Sequence, residues 1–405
     1  MRTVFIQNGQ LVDHARAIQT DLVIEDGVIK QIGKIEPAAE WQVIDATGLI
    51  VMPAFVDLHV HLRDPGFTYK EDLQSGSKAA VAGGYTTLNL MANTNPVCSS
   101  LDIAKDVVKR AKQIALCDVY QCVSLTRDFA GNDLSHLDEL ADDREQQYVK
   151  FVSEDGFGVS RGDVFYHGLQ KCQALQRTIM VHAEDHDFSA IDMAFAEDLE
   201  TIRDIYLAKK TGIPLHFCHV STQVSAAAII KAKKAGYPIT FEVAPHHLAL
   251  TDETHFRVNP PLRSAADRAF LLDCIQNDLV DAIATDHAPH TASDKEKGAP
   301  GLVGLETGFS VCYTNLVKSG LISLSQLSKL MSKAPADLMN IAKGTIAVGE
   351  IADLVLIDVE QERTIEPKNF YSKGKNTPFS GQKFYGEIIK TIKAGKVVFE
   401  RADKS

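Results

Sequence analysis

Long hydrophobic runs, paired cysteines and targeting signals are absent from this sequence. No apolar stretch approaches the ~20 residues that a membrane-spanning helix requires, and the N-terminal segment lacks the apolar region and cleavage site of a signal peptide. The seven cysteines are scattered and include no Cys-x-x-Cys pair, which argues against a zinc ribbon or a redox motif. We therefore expect a cytoplasmic protein whose cysteines are reduced and buried.

An excess of basic residues is also missing. The formal net charge is -11 and no basic stripe is visible, so nucleic acid and anionic membrane surfaces are not expected as partners. The sequence has no repeat of fixed period, no low-complexity tract and no Ser/Gly linker. A small anionic substrate is still compatible with this charge, provided that a bound metal and one or two arginines make the local field positive.

Length and composition predict an enzyme-sized globular protein. With 405 residues, 45% of them hydrophobic and 23% charged, the chain can bury one large core and a smaller module. Short strands and turns are predicted for residues 1–50, and the same pattern returns after residue 346. We expect residues 1–50 and 347–405 to form a composite small β domain, a β-sandwich built from both termini, beside a catalytic domain at 51–346.

Apolar strands alternate with helical segments from residue 51 onward, which is typical of βαβ units and a parallel sheet. Eight candidate strands lie near residues 51–58, 85–90, 117–124, 148–153, 178–183, 214–219, 238–243 and 281–285. Eight parallel strands predict a closed (β/α)8 barrel of the TIM type. A doubly wound open sheet is disfavoured, because no glycine-rich nucleotide-binding loop follows any of these strands.

Two histidines at the end of the first predicted barrel strand, His59 and His61, suggest a metal site. Residues i and i+2 of a strand lie on one face, so the two imidazoles are expected to project together. The 14 histidines of the chain would give roughly 0.5 such pairs by chance, so the motif alone is weak. Its meaning depends on the residues that end the other strands.

The carboxyl ends of barrel strands converge on one face, where active sites lie. Further histidines and aspartates end the later predicted strands: Asp155 after the fourth, His182 after the fifth, His219 after the sixth and Asp286 after the eighth. Any one of them alone is more simply interpreted as a hydrogen-bonded rim residue or a helix cap. Together they predict a metal site, because neutral imidazoles and carboxylates suit zinc.

The ligand pattern favours two metal ions that share Asp155, with the pair His59 and His61 on one ion and His182 and His219 on the other. Asp286 is expected to be catalytic, taking a proton from the attacking water and passing it to a leaving nitrogen.

Seven motifs between residues 56 and 290 resemble those of the type I dihydroorotases of the cyclic amidohydrolase superfamily, which are metal-dependent hydrolases. The motifs are VDLHVHLRDPG, SEDG, VHAED, CHVST, APHHL, NPPLR and TDHAPH, and the tail elements ADL and NTPFSG extend the likeness over nearly the whole chain. The resemblance implies a barrel with a small β domain. It also implies the reversible cyclisation of N-carbamoyl-L-aspartate to L-dihydroorotate in de novo pyrimidine (UMP) biosynthesis.

The same resemblance implies roles for individual residues and partners. The implied ligands of two Zn2+ per subunit are His59, His61, Asp155, His182, His219 and Asp286. The substrate carboxylate is expected to bind Arg63, Asn93 and His290, and the ring amide is expected to contact Asn259 and the backbone near Gly301. A guanidinium fork suits a carboxylate, so the residue chemistry agrees for Arg63. A homodimer and an association with aspartate transcarbamoylase are expectations of the same kind. The segment between His182 and His219 is shorter than the family pattern.

Several alternatives stay open at the level of the sequence. A carboxylated Lys150 is a rival to Asp155 as the group between the metals. Another cyclic amidase, such as a hydantoinase, dihydropyrimidinase or allantoinase, would share the histidine pair, whereas a non-catalytic dihydroorotase-like scaffold for aspartate transcarbamoylase would be expected to lose ligands. His246 and His247 are expected to support the site rather than to bind metal. Residues 286–304 are either a lid or an ordinary exposed loop.

Overall fold

Seventeen strands and twelve α-helices form the fold in the computed structural model, which describes residues 3–402. The strands are β1 (Thr3–Val12), β2 (Ala17–Glu25), β3 (Val28–Gly33), β4 (Gln42–Asp45), β5 (Ile50–Pro53), β6 (Phe55–Val60), β7 (Tyr85–Leu90), β8 (Asp118–Gln121), β9 (Val123–Ser124), β10 (Phe151–Ser153), β11 (Thr178–Val181), β12 (Leu215–Phe217), β13 (Ile239–Val243), β14 (Ala282–Ile283), β15 (Leu354–Thr364), β16 (Lys383–Lys393) and β17 (Lys396–Glu400).

Helices follow most of the strands in the middle of the chain. They are α1 (Leu73–Ala82), α2 (Leu101–Ile114), α3 (Gly162–Ala174), α4 (His186–Ser189), α5 (Met193–Thr211), α6 (Gln223–Lys234), α7 (Pro245–Ala249), α8 (Ala265–Gln276), α9 (Ala292–Glu296), α10 (Gly308–Cys312), α11 (Leu324–Ser328) and α12 (Ala334–Leu338). Two π-helical turns, Tyr313–Lys318 and Lys329–Lys333, continue α10 and α11. No helix within residues 3–402 is long and apolar enough to span a membrane.

Strands from both ends of the chain pair in one eight-stranded sheet. Its order is β17-β16-β15-β5-β1-β2-β3, and β4 pairs with β1. The β2–β3 turn approaches the β16–β17 turn so closely that a Cβ on Gly27 would lie 2.8 Å from the carbonyl oxygen of Ala394. Gly27 also has a φ of +84°, which glycine adopts without strain. Buried side chains from both termini, including Ile6, Leu22 and Leu354, form a hydrophobic core within this part of the fold.

The middle of the chain forms the barrel. Strands β6, β7 and β8 pair in parallel, as do β9 through β14. β8 and β9 are halves of one strand, interrupted at Cys122, so the count of barrel strands is eight. The first and last strands close the ring where His61 N donates to His287 O at 2.8 Å, beside a bridge between Val60 and His287.

The predicted fold class, a TIM-type barrel with a β domain built from both termini, is confirmed. One strand differs from the prediction, because the expected first strand from residue 51 to the histidine pair is two strands. β5 pairs with β1 and β15 in the terminal sheet, and the chain enters the barrel only at Phe55. The domain division at 50/51 and 346/347 stays a prediction. All seven cysteines are buried and unpaired, as expected.

Candidate metal centre and substrate cavity

Asp155 lies at the centre of four imidazoles at the carboxyl end of the barrel. Its Oδ1 is 3.2 Å from His59 Nε2 and 3.5 Å from both His182 Nδ1 and His219 Nε2, and its Oδ2 is 3.5 Å from His61 Nε2. All five side chains are buried. Burial raises the pKa of the Asp155 carboxyl, but the surrounding imidazoles outweigh that effect and hold the pKa well below its usual range.

The first two histidines are held from behind by groups outside the cluster. His59 Nδ1 donates to Glu242 Oε1 at 3.0 Å, and His61 Nδ1 donates to Asn93 Oδ1 at 2.8 Å. Each bond fixes the tautomer, so that the Nε2 lone pair of either ring points into the cluster. Glu242 also contacts His216 Nε2 at 3.2 Å, and burial of this carboxylate is offset by its two imidazole partners, which lower its pKa to about 2.

The other two histidines follow β11 and β12. His59 and His61 contact their supporting groups through Nδ1, whereas His182 does so through Nε2, which lies 3.0 Å from Glu184 Oε2. Its Nδ1 faces the cluster and lies 3.0 Å from His219 Nε2. His219 adopts a φ of 33°, in the left-handed region that non-glycine residues rarely adopt. This backbone conformation turns the side chain immediately after the strand toward Asp155.

Asp286 completes the cluster from the strand next to the histidine pair. Its Oδ1 lies 3.2 Å from His61 Nε2 and 3.8 Å from His59 Nε2. Burial raises the pKa of the Asp286 carboxyl, but its close contact with His61 and the nearby imidazoles of His59 and His219 lower the pKa well below its usual range. The strand end is anchored by Asp57, which accepts from Thr285 N at 3.1 Å and from Thr285 Oγ1 at 2.6 Å.

The donor set fits divalent metal ions. His59 Nε2 and Asp155 Oδ1 face each other across 3.2 Å, yet within residues 3–402 neither atom has a hydrogen-bond partner. Buried polar atoms without partners cost free energy unless another group, such as a cation, satisfies them. Three triads in the described part of the chain bring their ligand atoms within 4.8 Å of one another. Two belong to the predicted site, namely His59 with His61 and Asp286, and His59 with Asp155 and His219, and the third is His59 with Cys218 and Glu242. Four imidazoles and two carboxylates are a donor set that zinc prefers.

A cavity of about 170 Å³ opens directly over the cluster. Every predicted site residue except His59, which lies beneath the others, lines it: His61, Arg63, Asn93, Asp155, His182, His219, Asn259, Asp286, His290 and Gly301. The structure therefore brings together residues that are up to 240 positions apart in the chain. Proximity alone does not assign their roles, which stay predictions.

Two neighbouring basic side chains, Arg63 and His290, form part of the cavity wall. Arg63 Nη2 lies 3.1 Å from His290 Nε2, and Arg63 Nε donates to Pro289 O at 3.3 Å. Burial lowers the pKa of Arg63 to about 10, so its guanidinium stays charged at neutral pH. Burial and the charges of Arg63 and Lys70 lower the pKa of His290 to about 3, so its imidazole is neutral. This wall carries a buried positive charge that suits an anionic ligand.

Asn259 and Gly301, the two positions expected to contact the ring amide, differ in whether their polar groups already have hydrogen-bond partners. Asn259 Nδ2 donates to Glu184 Oε2 at 2.8 Å, whereas its buried Oδ1 has no hydrogen-bond partner in the described part of the chain. Gly301 N donates to Arg257 O at 3.1 Å, and its carbonyl accepts from Lys295 Nζ and Asn376 Nδ2. The backbone of Gly301 therefore shapes the wall of the cavity with its own polar groups already bonded.

Sequence reasoning missed three carboxylates that hold the site together: Asp57, Glu184 and Glu242. A signal existed for two of them. Asp57 and Glu242 are fully buried charges within otherwise apolar strands, a placement that requires a buried partner. Burial raises the pKa of Asp57 to about 7. Glu184 resembles an ordinary polar loop residue in the sequence, because its partner Asn259 comes from a distant loop.

The residues left open in the sequence have definite positions. Lys150 Nζ lies over the Tyr120 ring, 5.0 Å from its centroid, and Lys150 does not line the cavity. His247 Nε2 donates to Pro260 O at 3.1 Å, and both nitrogens of the adjacent His246 are buried without partners within residues 3–402. The 286–304 segment contains the short helix α9, and Lys295 of this helix donates to backbone carbonyls instead of extending into solvent.

Comparisons with known proteins agree with these observations. The model of the family described as the amidohydrolase family matches residues 50–398. The chain is 46% identical over 399 residues to a dihydroorotase of Clostridium botulinum (strain Eklund 17B / Type B), covering 98% of this chain and 100% of that protein. It is 38% identical over 422 residues to a dihydroorotase of Bacillus subtilis (strain 168), covering 98% of both. The solved L-hydantoinase from Arthrobacter aurescens superposes with a TM-score of 0.90 at 27% identity, covering 100% of this chain and 97% of that chain.

Proposed function

This chain belongs to the amidohydrolase family and, within it, to the dihydroorotases, and on that premise we propose that it catalyses the reversible cyclisation of N-carbamoyl-L-aspartate to L-dihydroorotate. It is a cyclic amide hydrolase that acts on a small molecule and uses a metal cofactor. The observation that supports the substrate best is the charged Arg63 guanidinium, which lines the same cavity as the proposed metal ligands. Both proposed substrates carry a free carboxylate there to bind.

We propose that the metal is zinc and that two ions bind per subunit. His59, His61 and Asp286 would hold one ion, His182 and His219 the other, and Asp155 would lie between them. The position of Asp155 among all four imidazoles supports this role, and the distance of Lys150 from the cavity argues against a carboxylated lysine. Bound zinc ions would supply a hydroxide nucleophile near neutral pH and polarise the amide carbonyl at C4 of dihydroorotate.

The side chains of this protein then account for proton movement and orientation. Asp286, which is ionised and lies 3.2 Å from His61 Nε2, would accept the proton of the attacking water and deliver it to N3, the departing ring nitrogen. In ring closure the same carboxylate takes the proton from the attacking ureido nitrogen. The buried floor of the cavity strengthens these electrostatic interactions.

Substrate orientation would come from three directions. Arg63 and the neutral His290 would bind the carboxylate, and the free Oδ1 of Asn259 would accept from a ring N–H. Asn93 donates to Asp155 Oδ2 at 3.1 Å and accepts from His61, so it orients the metal ligands in addition to its proposed contact with the carboxylate. A homodimer and association with aspartate transcarbamoylase belong to the same proposal, as implied by the resemblance.

The decisive experiment is a ring-closure assay on N-carbamoyl-L-aspartate with metal-replete protein, repeated after chelation and after zinc is restored. We expect activity that chelation abolishes and zinc restores, with two zinc ions per chain by metal analysis. The absence of chelator-sensitive activity would contradict the proposal. One zinc ion in fully active protein would leave the reaction in place and contradict the two-metal site.

A cyclic amidase that acts on uncharged rings is the second candidate, since hydantoinases superpose on nearly the whole chain. Those substrates offer no carboxylate to Arg63. Parallel assays on hydantoin and dihydrouracil separate the two candidates. Activity on the uncharged rings without activity on N-carbamoyl-L-aspartate would favour a hydantoinase-type activity over the proposed one.

A further inference from the structure

The NTPFSG motif, residues 376–381, packs against the barrel instead of extending into solvent. Phe379 is fully buried, in a hydrophobic cluster that also contains Val303 from the loop after the last barrel strand. Thr377 Oγ1 accepts from Phe379 N at 3.2 Å, which closes a tight turn between the two residues. The buried ring and this turn together fix the position of Asn376, the residue that begins the motif.

Asn376 forms four hydrogen bonds with the loop after the last barrel strand. Its Oδ1 accepts from His290 N at 2.9 Å, and its Nδ2 donates to Ala288 O at 3.1 Å and to Gly301 O at 2.9 Å. Its backbone oxygen accepts from Val303 N at 2.8 Å. Both N–H groups and the oxygen of the side chain are therefore used to hold one loop.

The side-chain partners of Asn376 belong to the proposed substrate site. Ala288, His290 and Gly301 line the cavity, whereas Asn376 itself is half-buried behind them. The chain leaves the cavity wall after His290, forms α9 and returns at Gly301. Ala288 N donates to Leu302 O at 2.7 Å, so the outgoing and returning stretches lie side by side. Asn376 binds both stretches and thus keeps them in register.

We propose that Asn376 is a positioning residue for substrate binding, which holds His290 and the neighbouring Arg63 in the arrangement that binds the substrate carboxylate. Arg63 Nη2 lies 3.1 Å from His290 Nε2, and Arg63 Nε donates to Pro289 O at 3.3 Å. A shift of residues 288–290 would therefore move two contacts of the guanidinium at once. This inference rests on the proposed function, because it assigns Asn376 to the carboxylate contact of that reaction.

Gly374 brings the backbone before the motif against the same wall. A Cβ on Gly374 would lie 2.6 Å from Pro289 Cβ and 2.9 Å from Asn376 Oδ1, closer than real Cβ atoms approach other heavy atoms. Gly374→Ala should therefore displace Pro289 or Asn376. This substitution disturbs the proposed contact without removing the asparagine, so it provides a second and independent variant.

The first test is steady-state kinetics of ring closure with zinc content measured in parallel. Asn376→Ala should raise the KM for N-carbamoyl-L-aspartate about tenfold and leave kcat within about twofold, because a contact remote from the reacting atoms contributes equally to ground-state and transition-state binding. Asn369→Ala is the matched control, since this exposed asparagine donates to Glu366. Its KM should equal that of the wild type, and both variants should keep the zinc of the wild type.

The outcomes of this test separate the inference from the proposed function. An active wild type with an unchanged KM in Asn376→Ala would contradict the inference alone. An inactive wild type would contradict the proposed reaction and, with it, the substrate role of Asn376.

A double-mutant cycle with Arg63→Gln tests whether Asn376 acts through the carboxylate contact. In the Arg63→Gln background, Asn376→Ala should raise KM by less than about threefold, because the guanidinium that it positions is already gone. The same tenfold rise in both backgrounds would contradict this role. A general loss of stability would also give equal effects in the two backgrounds, so the cycle distinguishes positioning from folding.

Hydrogen exchange measured by mass spectrometry provides a readout that needs no substrate. Amides of residues 288–303 should exchange about tenfold faster in Asn376→Ala than in the wild type, since His290 N loses its acceptor, and Asn369→Ala should leave them unchanged. Unchanged exchange in this segment, or equal acceleration throughout the chain, would overturn the inference. If Asn376→Ala fails to fold by circular dichroism, Gly374→Ala replaces it in the kinetic test, where an unchanged KM would count against the proposal.

Discussion

Buried carboxylates decide how the metal ligands are oriented. Glu242 accepts from His59 and His216, and Glu184 accepts from His182 and Asn259. Neither carboxylate lines the cavity, yet each fixes which nitrogen of a histidine faces the cluster. Glu184 in addition joins His182, a proposed metal ligand, to Asn259, a proposed substrate contact. This residue would therefore connect substrate binding with metal binding.

Glu242→Gln should reduce zinc affinity and activity by about 10- to 100-fold, because the amide group can accept from only one of the two imidazoles. The loss should be recovered in part by excess zinc. Metal analysis and the ring-closure assay measure both quantities. Glu306→Gln is the matched control, because Glu306 is a buried carboxylate that does not line the cavity and accepts from the backbone N–H groups of Tyr371 and Ser372. Equal losses in the two variants would indicate a general effect of burying an amide.

Arg63→Gln should lower kcat/KM for N-carbamoyl-L-aspartate by about 100-fold, since a charge-assisted contact with the substrate carboxylate would be lost. Arg63→Lys should recover only part of the loss, because a point charge cannot replace the planar fork. Steady-state kinetics with zinc content measured in parallel separates this effect from metal loss. Unchanged KM in Arg63→Gln would remove this residue from the substrate site.

At the scale of elements, one half-buried side chain of α9, Lys295, holds two of the loops that line the cavity. Lys295 on α9 donates to the carbonyls of Arg257, Ala299 and Gly301 at 2.9, 2.8 and 3.0 Å. One ammonium group thus joins the loop that carries Asn259 to the loop that carries Gly301. Burial, with a smaller contribution from Arg257, lowers the pKa of Lys295 to about 8.

The KM for substrate should therefore rise as the pH passes about 8, because a neutral amine has two N–H donors for three carbonyls. Lys295→Met should raise KM by about tenfold at pH 7 and remove this step from the pH profile. Lys297→Met, an exposed lysine of the same loop, should leave both unchanged. A pH profile of KM that is the same in wild type and Lys295→Met would contradict this role.

The strand ends could be predicted because barrel topology places them on one face whatever the intervening sequence. His59, His182, His219 and Asp286 follow from that rule. The break between β5 and β6 could not, since both halves of the run are apolar and only pairing with β1 and β15 separates them. The left-handed backbone of His219, Arg63 and Asp286 also lay beyond sequence reasoning, because nothing but the surrounding contacts holds these non-glycine residues there.

At the scale of the whole molecule, one buried lysine connects the barrel with the terminal sheet. Lys343 Nζ lies 2.6 Å from Asp118 of barrel strand β8 and 2.6 Å from Asp353, next to terminal strand β15. It also donates to Thr87 Oγ1 at 2.8 Å. Burial lowers the pKa of Lys343, but the two aspartates outweigh it and raise the pKa above its ordinary value.

Lys343→Met should reduce the free energy of unfolding by about 1–3 kcal/mol, because Asp118 and Asp353 lose their shared cation while the partly exposed Asp118 keeps its ion pair with Lys393. The raised pKa means that this contribution is complete below the ordinary lysine pKa and is lost only as the pH rises through the higher folded-state value. The difference from wild type should therefore be constant between pH 7 and 9. Urea unfolding of this variant and of the exposed-lysine control Lys368→Met provides the test.

The pairing of β5 with β15, and the contact between Gly27 and Ala394, also set an order of events during synthesis. Strands β1 to β5 can pair among themselves early, but β5 cannot pair with β15 until residues 354–364 have been synthesised, and the ring of barrel strands closes only when His287 has emerged. A nascent chain that ends before Asp286 therefore lacks one member of the histidine and aspartate cluster. Completion of this cluster is a late step, and a ribosome that stalls before β15 is made releases a chain in which one edge of β5 is unpaired and invites aggregation.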